Sequence, residues 1–166
     1  LRLRYEVFNE ELGEGLPESR LTGLDRDEYD DSMHHLVLIN RATDELIGTY
    51  RLVPVSFALK RVGLYCAREY DLSPLEGYFP DLVEAGRACI SPLHRNFATI
   101  MMLWKGLAVY MSMFGKRWLY GCCSLTSVDP DDGWRTLKTL RQMDAMHPDL
   151  LLKPTSVYTC GDPARE

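Results

Sequence analysis

The side chains best suited to chemistry fall in the first half of the chain. Asp25, Asp27 and Asp30 crowd the stretch LDRDEYDD, Arg51 interrupts the apolar run GTYRLVP, and Glu84 and Arg87 interrupt VEAGRACI. Arg4 and Phe8 precede them at a helical spacing. A charge set into an apolar run is costly unless it is paired or performs chemistry. Glu84 could accept a proton from an amine once partly desolvated. The competing reading is a structural ion pair, Glu84 with Arg51 or Arg87 with an early acid. A three-residue spacing on a strand puts Glu84 and Arg87 on opposite faces, so the two need not pair with each other. The three acids could gather around a cation or form a solvated loop. Asp-x-Asp-x-x-Asp lacks the Gly and the distal Glu of a calcium-binding EF-hand loop.

These residues need elements to hold them. Leu1, Tyr5, Phe8 and Leu12 recur at about 3.6 residues, which predicts an amphipathic helix over 2–12, stopped by Gly13, Gly15 and Pro17. An acidic loop follows to about residue 32. HHLVLIN (34–40) and LIGTYRLVPVS (46–56) read as an antiparallel hairpin around the turn NRATDE. A short helix is expected within 62–77. DLVEAGRACI (81–90) is a further strand, ended by Pro92. From His94 to Phe114, Ile100, Leu103, Trp104, Leu107, Met111 and Phe114 fall on one helical face; Met102, Val109 and Met113 add a second. That predicts a helix buried on most sides, with Gly115 as its C-cap. RWLYGCCS (117–124) reads as the next strand, a helix is capped near Asp129 to Asp132, and a last strand is expected around 154–159. Strand–helix–strand over 81–124 is a right-handed crossover between parallel strands, giving a mixed sheet with helices on its faces.

Composition narrows the function. At 166 residues one domain is expected over 1–166. The net charge of −5 is uneven: residues 1–31 carry −6 and the remainder +1, with no basic face that would suit nucleic acid. Five cysteines (66, 89, 122, 123 and 160) form no CxxC pair, which points away from a disulfide framework or structural zinc and toward a reducing cytoplasm. Cys122 and Cys123 read as buried small residues rather than nucleophiles, and the adjacent His34 and His35 as residues flanking a strand start rather than metal ligands. The stretch 97–115 contains Lys105 and is too short and mixed for a membrane span. The chain opens LRLRYEVF, with neither Met nor a signal-peptide pattern, so a piece of a longer protein is expected.

The ordered blocks resemble a known family. Arg-x-x-x-Phe, Asp-x-Asp-x-x-Asp, Arg-Leu after a strand and Glu-x-x-Arg resemble the acyl-homoserine-lactone synthases, although Asp25 stands where those enzymes usually have Glu. The closer resemblance is to the ornithine N-acyltransferases of ornithine-lipid synthesis and the long-chain N-acyl amino acid synthases. LRYEVFNEELG, LDRDEYDD, HHLVLIN, GTYRLV, VEAGRACI, HR with I-x-x-LW-x-G-x-x-x-Y, and GCCS-x-x-x-x-DP carry it over about residues 3–130. The resemblance implies an α/β GNAT-like fold whose first strand is missing. It also implies transfer of a fatty acyl group from acyl carrier protein to an α-amino group, with acyl-CoA as the other donor to consider and no bound cofactor or metal.

In that resemblance Glu84 is the base, or the orienter of a water that deprotonates the amine. Arg4, Phe8, Asp25, Asp27, Asp30, Arg51 and Arg87 form the acceptor side, the acids drawing in a cationic amino acid and Arg51 and Arg87 holding the acid loop or the substrate carboxylate. Cys89, Ile90, Arg95, Ala98 and Trp104 lie along the pantetheine and acyl chain. A helix start after a strand suits phosphate, and Arg95 would add a ligand there; an ordinary helix start with a surface Arg is the plainer reading. The segment Arg95-Asn-Phe-Ala98-Thr-Ile100 lacks the glycines of coenzyme A-binding turns, which favours a carrier protein. Expected partners are acyl carrier protein, the amino acid and a peripheral membrane contact, in the cytoplasm or at the inner membrane. A lactone synthase and a non-catalytic binding module are the alternatives.

Overall fold

A computed structural model describes residues 1–159, so Cys160 lies outside the described residues. Helix α1 (Arg2–Tyr5) runs into a π-helical segment, Glu6–Glu11, and Gly13 follows with a positive φ of 70°. The short helix α2 (Ser19–Thr22) precedes the acidic loop. The hairpin is β1 (His34–Asn40) and β2 (Glu45–Pro54), antiparallel from His34↔Leu52 to Asn40↔Glu45. Helix α3 is Val55–Ala58. Instead of one helix over 62–77, two 3-10 segments occur, Cys66–Arg68 and Ser73–Asp81, around the two-residue strand β3 (Tyr70–Asp71). Strand β4 (Leu82–Ile90), a 3-10 turn (Pro92–His94), helix α4 (Phe97–Met113) and strand β5 (Trp118–Tyr120) form the crossover. Helix α5 (Pro130–Gln142) and strand β6 (Lys153–Pro154) complete the described chain. Both late strands are shorter than their sequence runs suggested.

Where one domain is expected from length, the described residues form two compact units. The first combines Leu1–Leu64 with Tyr78–Cys122 and holds the mixed sheet, ordered β1-β2-β4-β5. β2 and β4 pair antiparallel, and β4 and β5 pair parallel, as the crossover predicts. The second combines Tyr65–Gly77 with the described residues from Cys123 on. In it β3 pairs with β6, and Asp129 caps α5 by accepting from the Asp131 N–H at 2.9 Å.

Each face of the first unit's sheet has its own helix. α1 and the π-helical segment after it lay Leu3 and Val7 against Cys89, with Phe8 alongside. On the other face Leu107 of α4 packs with Leu52, Val83 and Ala85. Asn96 caps α4, its Oδ1 accepting from the Thr99 N–H at 3.0 Å, and Gly115 follows the helix at φ 59°. Only Thr99, Leu103 and Leu107 of α4 are buried. The expectation of a helix buried on most sides is therefore corrected: Met102, Val109 and Met113 are exposed, because one sheet face covers a single stripe.

Candidate active site on the α1 face of the sheet

The first charged group is an ion network. Arg4 is 1% exposed, and its Nε donates to Asp25 Oδ2 at 2.6 Å while its Nη1 donates to Asp30 Oδ1 at 2.6 Å. Arg51 Nη1 donates to Asp27 Oδ1 at 2.5 Å and to Asp30 Oδ1 at 3.1 Å. The loop fixes its own carboxylates as well: the Asp27 N–H donates to Asp30 Oδ2 at 2.9 Å, and the Tyr29 N–H to Asp27 Oδ1 at 2.9 Å. Arg51 also lies over the Tyr29 ring, 5.6 Å from its centre. Burial pushes the Asp30 carboxyl up, but hydrogen bonds from Arg4 and the Asp27 N–H, with the charges of Arg4 and Arg51, outweigh it and hold it at about 2.

This arrangement corrects the expectation of an open acidic entrance. Asp25 and Asp30 are buried, and guanidinium groups occupy their carboxylates before any substrate arrives. Of the two roles expected for Arg51, holding the acid loop is the one its contacts show. The cation-binding capacity left in the network is Asp25 Oδ1 and Asp27 Oδ2, both buried without a hydrogen-bond partner.

The second group depends on a backbone irregularity. In the β2–β4 ladder Thr49 pairs with Cys89 and Arg51 with Gly86, so Tyr50 alone stands opposite both Arg87 and Ala88. This is a β-bulge, and Arg87 takes a φ of 49° within it. A bulge inverts the alternation of side chains beyond it. Arg87 therefore reaches the α1 face, where its Nε lies 3.6 Å from Asp25 Oδ2 and its guanidinium 5.4 Å from the centre of the Phe8 ring. Glu84 stands opposite Val53, two residues from Arg51 in the same register, which places it on that face too. The expectation that Glu84 and Arg87 lie on opposite faces holds only for a regular strand. A non-glycine residue at positive φ is held there by its surroundings, a kind of strain that clusters at functional sites.

Glu84 is 3% exposed and pairs in register with Tyr120 of β5, whose hydroxyl donates to Glu84 Oε1 at 3.3 Å. Sequence reading missed Tyr120. The available signal was its place three residues into the strand after the crossover, level with the only acid of β4. The β4–β5 ladder ends at this pair, whereas β4 continues to Ile90. Gly121 follows so closely that a Cβ there would sit 2.0 Å from the Ala85 carbonyl oxygen, so only glycine fits.

The expected donor side is only partly assembled. Cys89 is buried among Leu3, Val7 and Phe8, and burial pushes its thiol up to about 11, which makes it packing rather than a nucleophile. Ile90 ends β4, and its carbonyl accepts from Arg95 Nε at 3.1 Å. Arg95 is not a free phosphate ligand: Nη1 and Nη2 grip Glu11 Oε1 and Oε2 at 2.5 and 2.6 Å. That bidentate contact ties the end of the N-terminal helix to the turn before α4, and Arg95 holds the Glu11 carboxyl below its usual value. Ala98 and Trp104 are exposed on α4. Cys122 is half-buried and Cys123 exposed, contrary to the expectation that both are buried. His34 and His35 open β1; His34 stacks on Phe114 with ring centres 5.3 Å apart, and His35 Nε2 lies 3.1 Å from the Asp30 carbonyl oxygen.

The sequence matches the acetyltransferase (GNAT) domain family over residues 3–105. Among curated proteins, an L-ornithine N(alpha)-acyltransferase of Rhodobacter capsulatus is 39% identical over 137 residues, covering 77% of this chain and 52% of that protein. One of Agrobacterium fabrum is 33% identical over 137 residues, covering 78% and 47%. The chain thus spans about half the length of the curated relatives it matches. Among solved structures, a CoA-dependent acyl-homoserine lactone synthase with MTA superposes with a TM-score of 0.52 at 16% identity, over 92% of this chain and 71% of that one. The same synthase with SAM and isopentyl-CoA gives 0.50 at 20% identity, over 72% and 55%. At such identities the likeness is one of fold, and it agrees with the mixed sheet and its crossover.

Proposed function

Since this chain belongs to the acetyltransferase (GNAT) domain family, we propose that it moves a fatty acyl group from a thioester donor to the α-amino group of an ornithine-like amino acid, forming an amide. The observation that carries the reading is the Glu84–Tyr120 pair: a buried carboxylate at the level where the parallel strands cease to pair. An amine attacks a thioester only when neutral. Glu84 takes its proton, directly or through a water, as the nitrogen attacks the carbonyl carbon. The C–S bond then breaks, and the thiolate leaves and is protonated. Tyr120 orients the carboxylate by donating to Oε1. No covalent enzyme intermediate is required once amine and thioester are held together.

The donor lies along β4 beyond Glu84 in this reading, toward Ile90 and the turn at Arg95. Acyl carrier protein is the proposed donor partner. Its support is the glycine-free segment from Arg95 to Ile100, which gives a pyrophosphate little backbone room, and the working place is the cytoplasm. The ornithine-like acceptor rests on the names of the relatives. Mass spectrometry of lipid extracts from cells producing the chain tests the reading. An acylated amino acid is expected; an acyl lactone would favour a signal synthase, and neither product would leave a binding module.

A further inference from the structure

Strand β4 carries a glycine that the fold itself does not ask for. Glycine in the middle of a strand costs stability and packs nothing, so it marks a bulge, a tight bend or a close approach. Gly121 has such a reason, since a Cβ there would strike the Ala85 carbonyl oxygen. Gly86 has none of these. Its φ is not positive, the left-handed residue of the neighbouring bulge being Arg87, and a Cβ on it would meet no atom of the described residues within 4 Å. That Cβ would point to the α1 face. Residue 86 follows Glu84 by two positions and pairs with Arg51 across the β2–β4 ladder, while Ala85 points the other way, onto Leu107 of α4. The space over Gly86 therefore lies between Glu84 and Arg87, which the bulge turns to the same face. The β4–β5 ladder has already ended at Glu84↔Tyr120. Arg87 Nε is buried there without a hydrogen-bond partner; Asp25 Oδ2, at 3.6 Å, is within ion-pair reach only.

We propose that this space seats the α-carbon of the amino acid acceptor, and that residue 86 decides which acceptors fit. The inference rests on the acyltransfer reading. A glycine inside a strand marks a place where a ligand comes close to the backbone. Here one end of the gap holds a buried carboxylate and the other a buried donor without a partner. An α-amino acid presents the complementary pair, an amine and a carboxylate on one carbon. Residues two apart on an extended strand stand about 6.6 Å from each other. A ligand this compact reaches both Glu84 and Arg87 only if its central carbon sits between them, against the bare backbone of Gly86. A β-carbon on residue 86 would take the place of that carbon. The position thus excludes by bulk, in a strand that almost any other residue would make steadier.

The test is steady-state kinetics with an acyl thioester and L-ornithine for the parent chain, Gly86→Ala and Gly86→Val, with urea unfolding of all three. The KM for ornithine rises roughly tenfold in Gly86→Val and less in Gly86→Ala, while the KM for the thioester keeps its parent value. Both urea midpoints match or exceed the parent's, since each replacement suits a strand better than glycine. Putrescine, which is ornithine without the carboxylate, is acylated by the parent with a KM at least roughly tenfold higher than that of ornithine. An unchanged KM for ornithine in Gly86→Val overturns the proposal and leaves the acyltransfer reading intact. So does a rise confined to the thioester KM, which assigns the space to the donor, or a midpoint that falls in both variants, which makes Gly86 structural. Putrescine accepted as readily as ornithine also overturns it. A parent chain that forms no amide removes the acyltransfer reading, and this proposal with it.

Discussion

One face of the sheet carries charge in two different ways. Under α1, Arg4, Arg51 and Arg87 meet Asp25, Asp27 and Asp30 within a buried network whose charges are already matched. At the end of the β4–β5 ladder, Glu84 receives a hydrogen bond from the Tyr120 hydroxyl. Hydrogen bonds and charge from Arg4 and Arg51 hold the Asp30 carboxyl at about 2, which makes it a poor base. The contrast separates residues that shape the site from the one assigned to work in it, although all of them stand out equally in the sequence.

The comparison can be broken at its structural side first. Arg4→Met leaves Asp25 and Asp30 buried without their shared cation and is expected to lower stability by about 3–5 kcal/mol, read from urea unfolding. A loss below about 1 kcal/mol would mean the network is not what holds α1 to the sheet. Gly121→Ala is next. It forces a methyl group onto the Ala85 carbonyl oxygen and is expected to cost about 1–3 kcal/mol in the same measurement, with activity lost in step as the strand carrying Tyr120 shifts.

Acid unfolding sharpens the contrast further. Asp30 is depressed to about 2 from 3.8, so its contribution is fully present above pH 4 and is lost as the pH falls toward 2. The shift corresponds to on the order of 2 kcal/mol, and Asp30→Asn should flatten the stability profile in that window. The smallest effect belongs to Tyr120→Phe. It removes one long hydrogen bond worth about 1 kcal/mol, so kcat should fall by up to roughly tenfold with stability nearly unchanged. An equal loss of stability would return Tyr120 to packing.

The hairpin was legible because HHLVLIN and the run from Glu45 to Pro54 have strand composition around an obvious turn. β4 and the crossover to β5 were legible for the same reason, and the family blocks drew attention to Glu84 and Arg4. Pairing was not legible, because it is tertiary. Glu11 meets Arg95 from 84 positions away, and the loop acids meet Arg4 and Arg51 only once α1 closes on the sheet. The bulge at Arg87 left no local trace either, since positive φ is normally announced by glycine and here falls on arginine. The exposure of α4 was hidden by composition, which fixes how apolar a helix is but not how many of its sides find cover.

The most direct measurement pairs kcat with the urea midpoint for Glu84→Gln, assayed with an acyl thioester and ornithine. The account predicts a fall in kcat of about 10²–10⁴-fold with the midpoint close to that of the parent chain. Retained turnover would remove Glu84 as the base. A midpoint that collapses as far as that of Arg4→Met would place Glu84 in the structural network instead.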